Sequence, residues 1–496
     1  MPTETMSTEA RWIVERSIAD LQHLMGSGER SAAEITDAYL ARIAALDTDL
    51  RSVVEVNPDA RAIAAALDDE RRSGTVRGPL HGIPILLKEN IDTADDMLTT
   101  AGSLALVGSM PAEDSTTASR LRAAGAVLLG KTAMSEWAFF RSMSGTSGWS
   151  GRNGQVRNPY DPTRSPGGSS SGSGVAVSAN FAAAAIGTET DGSIVSPANV
   201  NGVVGLKPTV GLTSRAGVIP ISRSQDTVGP LARTVADAAA VLSAIAGTDP
   251  RDPSTTGSEP DDYTTYLDAD GLRGRRVGVA TGLFGFSRHA DRVARDAIGL
   301  IQAAGAVTVD VPELRVGPEL RDAEFEILLH EFKAGVEDYL ATRSSGSPNT
   351  LGEVIAYNER HASLELQHFG QDLLEQADAR GPLTSEVYLE AMATASRLSR
   401  NEGLDRAHDE HDLDALLAPT GAPATPVDLV NGDARFGGTS TLAATAGYPL
   451  ISIPAGSAAG LPVGITLMGT AWSEPTLIAL ASGFEARRGP RLRPPR

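Results

Sequence analysis

Residues 165–174 read SPGGSSSGSG, and five of these ten residues are serine and four are glycine. A flexible linker of this composition would separate two self-contained patterns. Here the next residues, 175–187, read VAVSANFAAAAIG, a run apolar enough that it must be buried. Small residues also let backbones approach closely and adopt unusual dihedral angles. The stretch is therefore predicted to be a packed loop within a domain.

Composition narrows the class of protein. The chain has 496 residues and a net charge of −19, which disfavours nucleic acid and anionic membranes as partners. It has no cysteine, which excludes disulfides, thiolate metal sites and a cysteine nucleophile. No basic segment precedes an apolar one at the N-terminus, and the apolar runs are too short to span a bilayer. These features predict a soluble, cytoplasmic protein.

Strand-like and helix-like patterns alternate along the chain. GIPILLKENID indicates a buried strand that ends near Lys88, and RRVGVATG and GAVTVDVPEL flank a helical pattern as in a βαβ unit. The alternation predicts an α/β protein with a mixed, largely covered sheet. We expect one domain over 1–496, and its parts are N-terminal helices to about 72, a core over about 73–250 and 411–486, a more variable helical region over about 251–410, and a flexible tail at 487–496.

Residues 125–132, GAVLLGKT, match the spacing of a nucleotide-binding P-loop. A working P-loop needs a polar, glycine-rich turn whose N–H groups surround a phosphate. The four intervening residues are Ala, Val, Leu and Leu. They predict a buried strand whose N–H groups pair within a sheet, so nucleotide binding is not expected.

A second pattern, GSSSG at 168–172, fits the nucleophile elbow GxSxG with Ser170 at its centre. An elbow joins a strand to a helix, whereas the preceding RNPYDPTRSP holds three prolines and no strand pattern. The downstream histidines lie in charged, helical or surface sequence, without the context of a catalytic base. His408 and His411 are three residues apart on a polar helix, a spacing more typical of solvated side chains than of a metal site.

Without a histidine or cysteine, a lysine can activate a serine only when it is neutral. The ordinary lysine pKa is about 10.4, so burial or nearby positive charge must lower it. Lys88 ends the apolar run IPILL, which suits a desolvated lysine. A lysine at a strand end can equally extend its amine to solvent, and the local sequence leaves both interpretations open.

Several long stretches together resemble the amidase signature family of serine hydrolases. The form GTETDGSIV, with GWSGRNGQVRNPYD before the serine-rich loop, is similar to bacterial peptide amidases, which release ammonia from C-terminal peptide carboxamides. The resemblance implies the amidase signature fold, with a mixed, twisted central β-sheet covered by helices on both faces. The matching stretches are GPLHGIPILLKENIDT (78–93), GAVLLGKTAMSEWA (125–138), SPGGSSSGSGVAV (165–177), GTETDGSIVSPANVNGVVGLKPTVGLTSRAGVIPISRSQDTVGP (187–230), DALLAPT (414–420), AGYPLISIPAG (446–456) and GLPVGITLMGTAWSE (460–474).

The resemblance also implies a Ser–cis-Ser–Lys triad and a chemistry without metal or cofactor. Carried onto this chain, Ser193 is the nucleophile, Ser169 is the bridging serine after a cis peptide bond, and Lys88 is the base. The family's oxyanion hole falls on the backbone N–H groups of Thr190, Asp191, Gly192 and Ser193. The residues expected to bind the substrate are Met143, Ser144, Trp149 and Asp191.

This chain departs from many family members after the nucleophile. Ser193 is followed by Ile194 and Val195, where an arginine would suit a substrate with a free carboxylate. Asp191, where many members have glycine, could accept an N–H from a peptide substrate or brace the loop. We therefore expect a peptide or amino-acid carboxamide as substrate.

The alternatives are a broad acylamidase or carbamate hydrolase, the amidase subunit of a transamidation complex with a protein partner, and a nucleotide-binding protein. Monomer and homodimer both remain open.

Overall fold

An eleven-stranded mixed β-sheet organises the chain. The computed structural model describes residues 8–343, 346–434 and 437–495. The strands are β1 (Val53–Val56), β2 (Pro84–Lys88), β3 (Val127–Thr132), β4 (Trp149–Ser150), β5 (Gly154–Gln155), β6 (Ala184–Glu189), β7 (Val204–Lys207), β8 (Thr227–Ala232), β9 (Arg276–Val279), β10 (Val307–Asp310), β11 (Ala415–Pro419), β12 (Leu450–Ala458) and β13 (Leu461–Met468). Their order in the sheet is β1-β3-β2-β6-β8-β7-β12-β13-β11-β9-β10, and β4 and β5 form a separate small hairpin.

The sheet is antiparallel through its middle and parallel on either side of it, and the edge strand β1 pairs antiparallel with β3. Strands β3, β2 and β6 are parallel neighbours, as are β11, β9 and β10, whereas β6 through β11 alternate in direction. Every residue of β2, β3, β6, β7, β8, β11 and β13 is buried. A strand buried at successive positions must be covered on both faces, since its side chains alternate between them. The predicted α/β fold class is confirmed.

Sixteen α-helices cover the sheet and build the region beside it in the described ranges. The helix at 32–50 begins at a capping box, in which Ser31 Oγ accepts from the N–H of Glu34 at 3.1 Å and the Glu34 carboxylate accepts from Ser31 N–H at 2.7 Å. The helices are α1 (Ile18–Gly26), α2 (Ala32–Leu50), α3 (Ala60–Arg72), α4 (Thr116–Ala123), α5 (Ser171–Ser178), α6 (Val195–Asn201), α7 (Val235–Ile245), α8 (Arg288–Ala303), α9 (Pro318–Leu340), α10 (Leu351–Arg360), α11 (Ala362–Glu365), α12 (Asp372–Asp378), α13 (Glu386–Ser396), α14 (Asp405–His411), α15 (Thr441–Ala446) and α16 (Glu474–Glu485).

Apart from strands β9 and β10, the regular elements of the region over about 251–410 are helices, and this region packs against the core through α9. Phe332 of α9 is fully buried in an apolar cluster with Ile219 and Ile221 of the loop that precedes β8. Trp137 joins the same cluster, with its ring edge-on to Phe332 at 6.3 Å between centroids. Helix α9 therefore fixes the loop before β8 from behind.

The C-terminal segment contacts the core through residues 491 and 492. The Arg491 guanidinium pairs with the Glu15 carboxylate and donates to the Ser178 carbonyl at 3.3 Å, and Tyr160 Oη donates to the Leu492 carbonyl at 2.7 Å. No helix in the described ranges combines the length and the apolarity that a bilayer crossing requires.

Candidate active site

Three chain segments meet at one edge of the sheet, where β2 and β6 end and β8 begins. Because β2 and β6 run parallel while β8 runs antiparallel to β6, their termini lie side by side. Lys88 ends β2, residues 190–194 follow β6, and Asp226 precedes β8. The carboxyl ends of parallel strands in an open sheet are common positions for a ligand site. The fold thus brings together residues that are 138 positions apart in the sequence, from Lys88 to Asp226.

Lys88 is completely buried. Burial lowers its pKa to about 7, against the charges of Asp226, Glu189 and Glu89, which raise it. Its Nζ lies 2.8 Å from Ser169 Oγ, 2.8 Å from Thr188 Oγ1 and 3.3 Å from the Thr188 carbonyl. Of the two interpretations of Lys88, the structure supports the desolvated lysine. A neutral amine in this position can donate to Thr188 and accept the hydroxyl proton of Ser169.

Within the serine-rich loop, only Ser169 has its hydroxyl against the lysine amine. Its peptide bond with Gly168 is cis, as the resemblance implies. The following hydroxyls donate to backbone carbonyls instead, Ser170 to Thr188 at 3.0 Å and Ser173 to Ile186 at 3.0 Å. Ser171 likewise donates to a carbonyl, that of Gly167, at 2.5 Å. The predicted packed loop is confirmed, since none of the residues 165–174 is exposed and the last four of them form the first turn of α5.

The loop at 190–193 lies directly beside this serine run. Ser170 N–H donates to the Ser193 carbonyl at 3.1 Å, which ties the two loops together. Gly192 has a φ of +80°, and a Cβ there would meet the Ser440 side chain, so the turn requires glycine. Within the described ranges, the backbone N–H groups of Asp191, Gly192 and Ser193 donate to no other residue. Three successive free N–H groups form a site for an oxyanion.

Two buried carboxylates brace this loop. Glu189 accepts from the N–H groups of Ile194 and Val195 at 2.6 and 2.9 Å, which fixes the chain immediately after Ser193. Asp226 accepts from Thr190 Oγ1 at 2.5 Å and from the N–H groups of residues 221 and 222. Burial raises the pKa of Asp226 to about 6 and also raises that of Glu189. Sequence reasoning missed both residues, although each lies within the matching stretch 187–230.

The side chain of Asp191 is directed towards other residues of the protein and is not simply exposed to solvent. Its Oδ2 accepts from Thr441 Oγ1 at 2.7 Å, and its carboxyl group lies next to that of Glu324 on α9. Glu324 is 8% exposed and also accepts from Gln225 Nε2 at 2.9 Å. Glu324 could not be predicted as a neighbour of Asp191, since α9 lies in the part of the sequence with little family resemblance.

A cleft of about 150 Å³ opens beside Gly192, and residues of several distant segments line it, including Ser147, Ser196, Thr420 and Ser440. Ser193 itself is 7% exposed. A larger cavity of about 630 Å³ lies on the far side of Asp226, but the Arg215 guanidinium in its wall is already paired with Asp252 at 2.7 Å. Of these two cavities, the smaller cleft is the one that is lined by the candidate oxyanion loop, through Gly192.

The residues expected on the substrate side separate into two groups. Met143 is 46% exposed, and its N–H donates to the Asp372 carboxylate at 3.1 Å, while the N–H of Ser144 donates to Ser142 Oγ at 3.1 Å. Trp149, in contrast, is 2% exposed and stacks under the Arg141 guanidinium at 4.7 Å. Its side chain is occupied by packing, so it offers no face to a substrate in this structure.

The other patterns found in the sequence have structural roles. Residues 127–132 of the P-loop-like segment form the buried strand β3, as predicted, and Lys131 Nζ donates to the Ile91 carbonyl. His408 is buried with Nδ1 against the Leu404 carbonyl at 2.8 Å, whereas His411 pairs with Glu313 at 3.0 Å on the surface. The two histidines therefore share no site. Glu410 adjoins the surface pair, and such exposed ion-pair groups are common.

Comparisons with known proteins agree with this geometry. The Amidase family model matches residues 34–478. A solved structure of native peptide amidase from Stenotrophomonas maltophilia is 52% identical, covers 97% of this chain and 99% of that one, and superposes with a TM-score of 0.92. A probable amidase from Arabidopsis thaliana is 41% identical over 485 residues, 95% of this chain and 90% of the relative. A glutamyl-tRNA(Gln) amidotransferase subunit from Chloroflexus aurantiacus is 36% identical over 486 residues, 95% of this chain and 96% of the relative.

The family model spans most of the chain, and the relatives cover it almost from end to end. The mixed sheet covered by helices agrees with the amidase signature fold that the resemblance implies. The chain belongs to the amidase signature family and is an enzyme that hydrolyses amides.

Proposed function

We propose that the enzyme hydrolyses C-terminal carboxamides of peptides or amino-acid amides through the triad Ser193–Ser169–Lys88. The observation that carries the proposal is the 2.8 Å contact between Ser169 Oγ and a completely buried Lys88 Nζ. It supplies what a serine hydrolase without a catalytic histidine needs, a neutral amine next to a hydroxyl.

The proposed acylation step moves one proton along the triad. Ser193 Oγ attacks the amide carbonyl carbon while its proton passes to Ser169 Oγ, and the Ser169 proton passes to neutral Lys88. The negative charge on the carbonyl oxygen is held by the free N–H groups of residues 191–193. When the C–N bond breaks, the proton returns from Lys88 through Ser169 to the leaving nitrogen, and ammonia departs.

Deacylation repeats the same transfers with water. A water molecule attacks the ester of Ser193, loses its proton to the Ser169–Lys88 pair, and the proton returns to Ser193 Oγ as the ester bond breaks. The products are a carboxylic acid and the free enzyme. Every step uses the protein's own groups, so the proposed cycle is complete without a metal or cofactor.

The substrate class is supported by the lining of the cleft, in which the charged residue among those described is the acidic Asp433, and by the similarity to a peptide amidase. Ile194 and Val195, which follow the nucleophile, are buried apolar residues, and the described residues that line the cleft include no lysine or arginine. A cleft of this kind favours an uncharged carboxamide over a substrate with a free carboxylate. The 52% identity to a peptide amidase supports the same class.

The test is ammonia release from a panel of dipeptide amides, short aliphatic amides and anilides, with purified enzyme alone. We expect the highest kcat/KM on a peptide amide. Faster turnover of acetamide or an anilide than of every peptide amide would instead favour a broad acylamidase. Ammonia release that depends on a stoichiometric protein partner would favour transamidation, the role named for the Chloroflexus relative.

A further inference from the structure

Acidic side chains on helix α9 accept hydrogen bonds from the loops behind the candidate oxyanion hole. Glu331 accepts from the Ser222 hydroxyl and, at 3.0 Å, from the N–H of Ser224. Seven residues earlier on the helix, and hence on the same face, Glu324 accepts from Gln225 Nε2 at 2.9 Å. Gln225 Nε2 also reaches the Thr190 carbonyl at 3.4 Å. Helix α9 is thereby connected to the oxyanion loop.

The carboxyl of Glu324 also meets that of Asp191, inside the oxyanion loop itself. Two facing carboxylates repel each other unless a proton lies between them. Asp191 Oδ1 is buried and receives no N–H or O–H from any described residue, while Oδ2 already accepts from Thr441. A proton on Glu324 is the donor that this oxygen lacks.

The charged groups around this pair of carboxyl groups make Glu324, rather than Asp191, the one that carries the proton. Burial and the charge of Asp191 raise the pKa of Glu324 well above its ordinary value. The other charged groups near Asp191 are Glu189 and Lys207, which attract each other, and Asp226 is directed to Thr190 and to the N–H groups of its own loop. Across from α9, Tyr388 on α13 donates to Glu331 at 2.6 Å and not to Glu324.

We propose that Glu324 is a positioning residue of the hydrolase, which donates its carboxylic proton to Asp191 and so holds the oxyanion loop in the conformation that presents its N–H groups. This inference rests on the proposed function of that loop. It also assigns Asp191 to bracing the loop, the second of the two roles that its sequence position allows.

The test compares Glu324→Gln with Glu324→Ala. A glutamine at 324 can donate its amide N–H to Asp191 and still accept from Gln225, whereas alanine can do neither. We expect Glu324→Gln to keep kcat within about threefold of wild type, and Glu324→Ala to lower kcat by about 10- to 100-fold with little change in KM, somewhat less than the roughly 10²- to 10³-fold cost of deleting an oxyanion donor outright. Glu331→Gln is the matched control on the same face of α9.

The pH profile distinguishes positioning from simple packing. When Glu324 loses its proton at alkaline pH, the two carboxylates repel and the wild-type rate should fall, whereas glutamine has no such proton to lose. Glu324→Gln should therefore lose the alkaline decline, and Glu331→Gln should retain it. Equal losses in Glu324→Gln and Glu324→Ala with the wild-type pH profile, or wild-type kcat in Glu324→Ala, would overturn the proposal. If the alanine variant does not fold, the profile of Glu324→Gln decides alone.

A second readout separates this inference from the proposed function. The rate at which a fluorophosphonate probe labels Ser193 depends on the nucleophile and the oxyanion hole, and it needs no amide substrate. It should fall in Glu324→Ala in parallel with kcat and stay near wild type in Glu324→Gln. If peptide amides are not hydrolysed but labelling follows this order, the substrate proposal fails and the positioning proposal stands. Labelling that is equal in all variants overturns the positioning proposal alone.

Discussion

Strands β2 and β3 each carry a buried lysine near their end, in nearly the same environment. Only one of the two lysines is the candidate catalytic base. Lys88 and Lys131 are both completely buried on neighbouring parallel strands, and burial lowers their pKa values to about 7 and about 8. Lys131 Nζ donates to the Ile91 carbonyl and to Thr99 Oγ1 at 3.0 Å, which are both inside the structural core. Lys88 Nζ contacts Ser169 Oγ, beside the oxyanion loop.

The comparison shows that a lowered pKa does not by itself make a lysine a catalytic base. Burial produces a readily neutralised amine at both positions, because the charged form is penalised by desolvation. What differs is the neighbouring hydroxyl. At Lys88 the hydroxyl belongs to a serine whose loop is hydrogen-bonded to Ser193, whereas at Lys131 it belongs to a threonine with no described contact to that loop.

The largest expected effect on kcat comes from removing Ser193, which stands at the opposite end of the proposed proton path from Lys88. Ser193→Ala removes the only proposed nucleophile, so no acyl-enzyme can form and kcat should fall by about 10⁴-fold or more. A fluorophosphonate probe, detected by mass spectrometry of tryptic peptides, should label Ser193 in the wild type and nothing in the variant. Labelling of Ser170 together with an active Ser193→Ala enzyme would establish the nucleophile elbow instead.

The two lysines themselves provide the most direct test of the comparison. Lys88→Met should lower kcat/KM by about 10²- to 10⁴-fold, the range expected when general-base catalysis is lost. Lys131→Met should change kcat/KM by less than about threefold, but it removes the hydrogen bonds from the amine to the Ile91 carbonyl and Thr99 Oγ1 and should lower the free energy of unfolding by roughly 1–3 kcal/mol. Urea denaturation monitored by circular dichroism measures the second effect. Similar losses of activity in both variants, at equal folded fractions, would show that the hydroxyl contact does not distinguish them.

Removing the Ser169 hydroxyl, the neighbour that distinguishes Lys88 from Lys131, should lower activity somewhat less than removing Lys88 itself. Ser169→Ala interrupts the path from Ser193 to Lys88, and kcat should fall by about 10²- to 10³-fold, since a water molecule can take the place of the lost hydroxyl. Steady-state kinetics on the best amide substrate measures the loss. Activity within threefold of wild type would mean that Lys88 accepts the proton without Ser169.

The sequence predicted the components of this site better than their surroundings. Lys88 could be located because five apolar residues precede it, and the strand at 127–132 because Ala, Val, Leu and Leu cannot form a phosphate loop. The distinction between Ser169 and Ser170 came from family resemblance, since local composition treats the serines of the run alike. Their different partners, Lys88 for one and the Thr188 carbonyl for the other, arise only from folding.

The bracing residues could not be predicted, because they depend on contacts between distant segments. Glu324 lies 133 residues after Asp191, in helices whose sequence shows only amphipathic character. Trp149 shows the same dependence on packing. A tryptophan in a matching segment was expected at the substrate, but its ring is buried under Arg141 and against Phe369, at 5.0 Å between ring centroids. Sequence shows which side chains are available, and packing decides which of them reach the cleft.

The pH dependence of the wild type should reveal Lys88 rather than Lys131. Activity requires neutral Lys88, whose pKa is about 7, so kcat/KM should fall about tenfold for each pH unit below 7 and level off above it, before any decline at alkaline pH. Lys131→Met should leave this midpoint unchanged. A midpoint that moves with Lys131→Met, or a rate that is constant from pH 5 to 8, would contradict the assignment of the base.

The smallest effects on activity are expected from the remaining serines of the loop. Ser170→Ala removes a hydrogen bond to the Thr188 carbonyl, and Thr188 also holds Lys88, so kcat/KM should fall only about two- to tenfold, corresponding to roughly 1 kcal/mol. Ser173→Ala loses its bond to the Ile186 carbonyl, which lies deeper in β6, and should reduce stability by about 1 kcal/mol with kcat unchanged. Parallel measurements of kcat and of thermal midpoint separate the two effects. If Ser173→Ala impaired catalysis more than Ser170→Ala, proximity to the Lys88 pair would not be what ranks these serines.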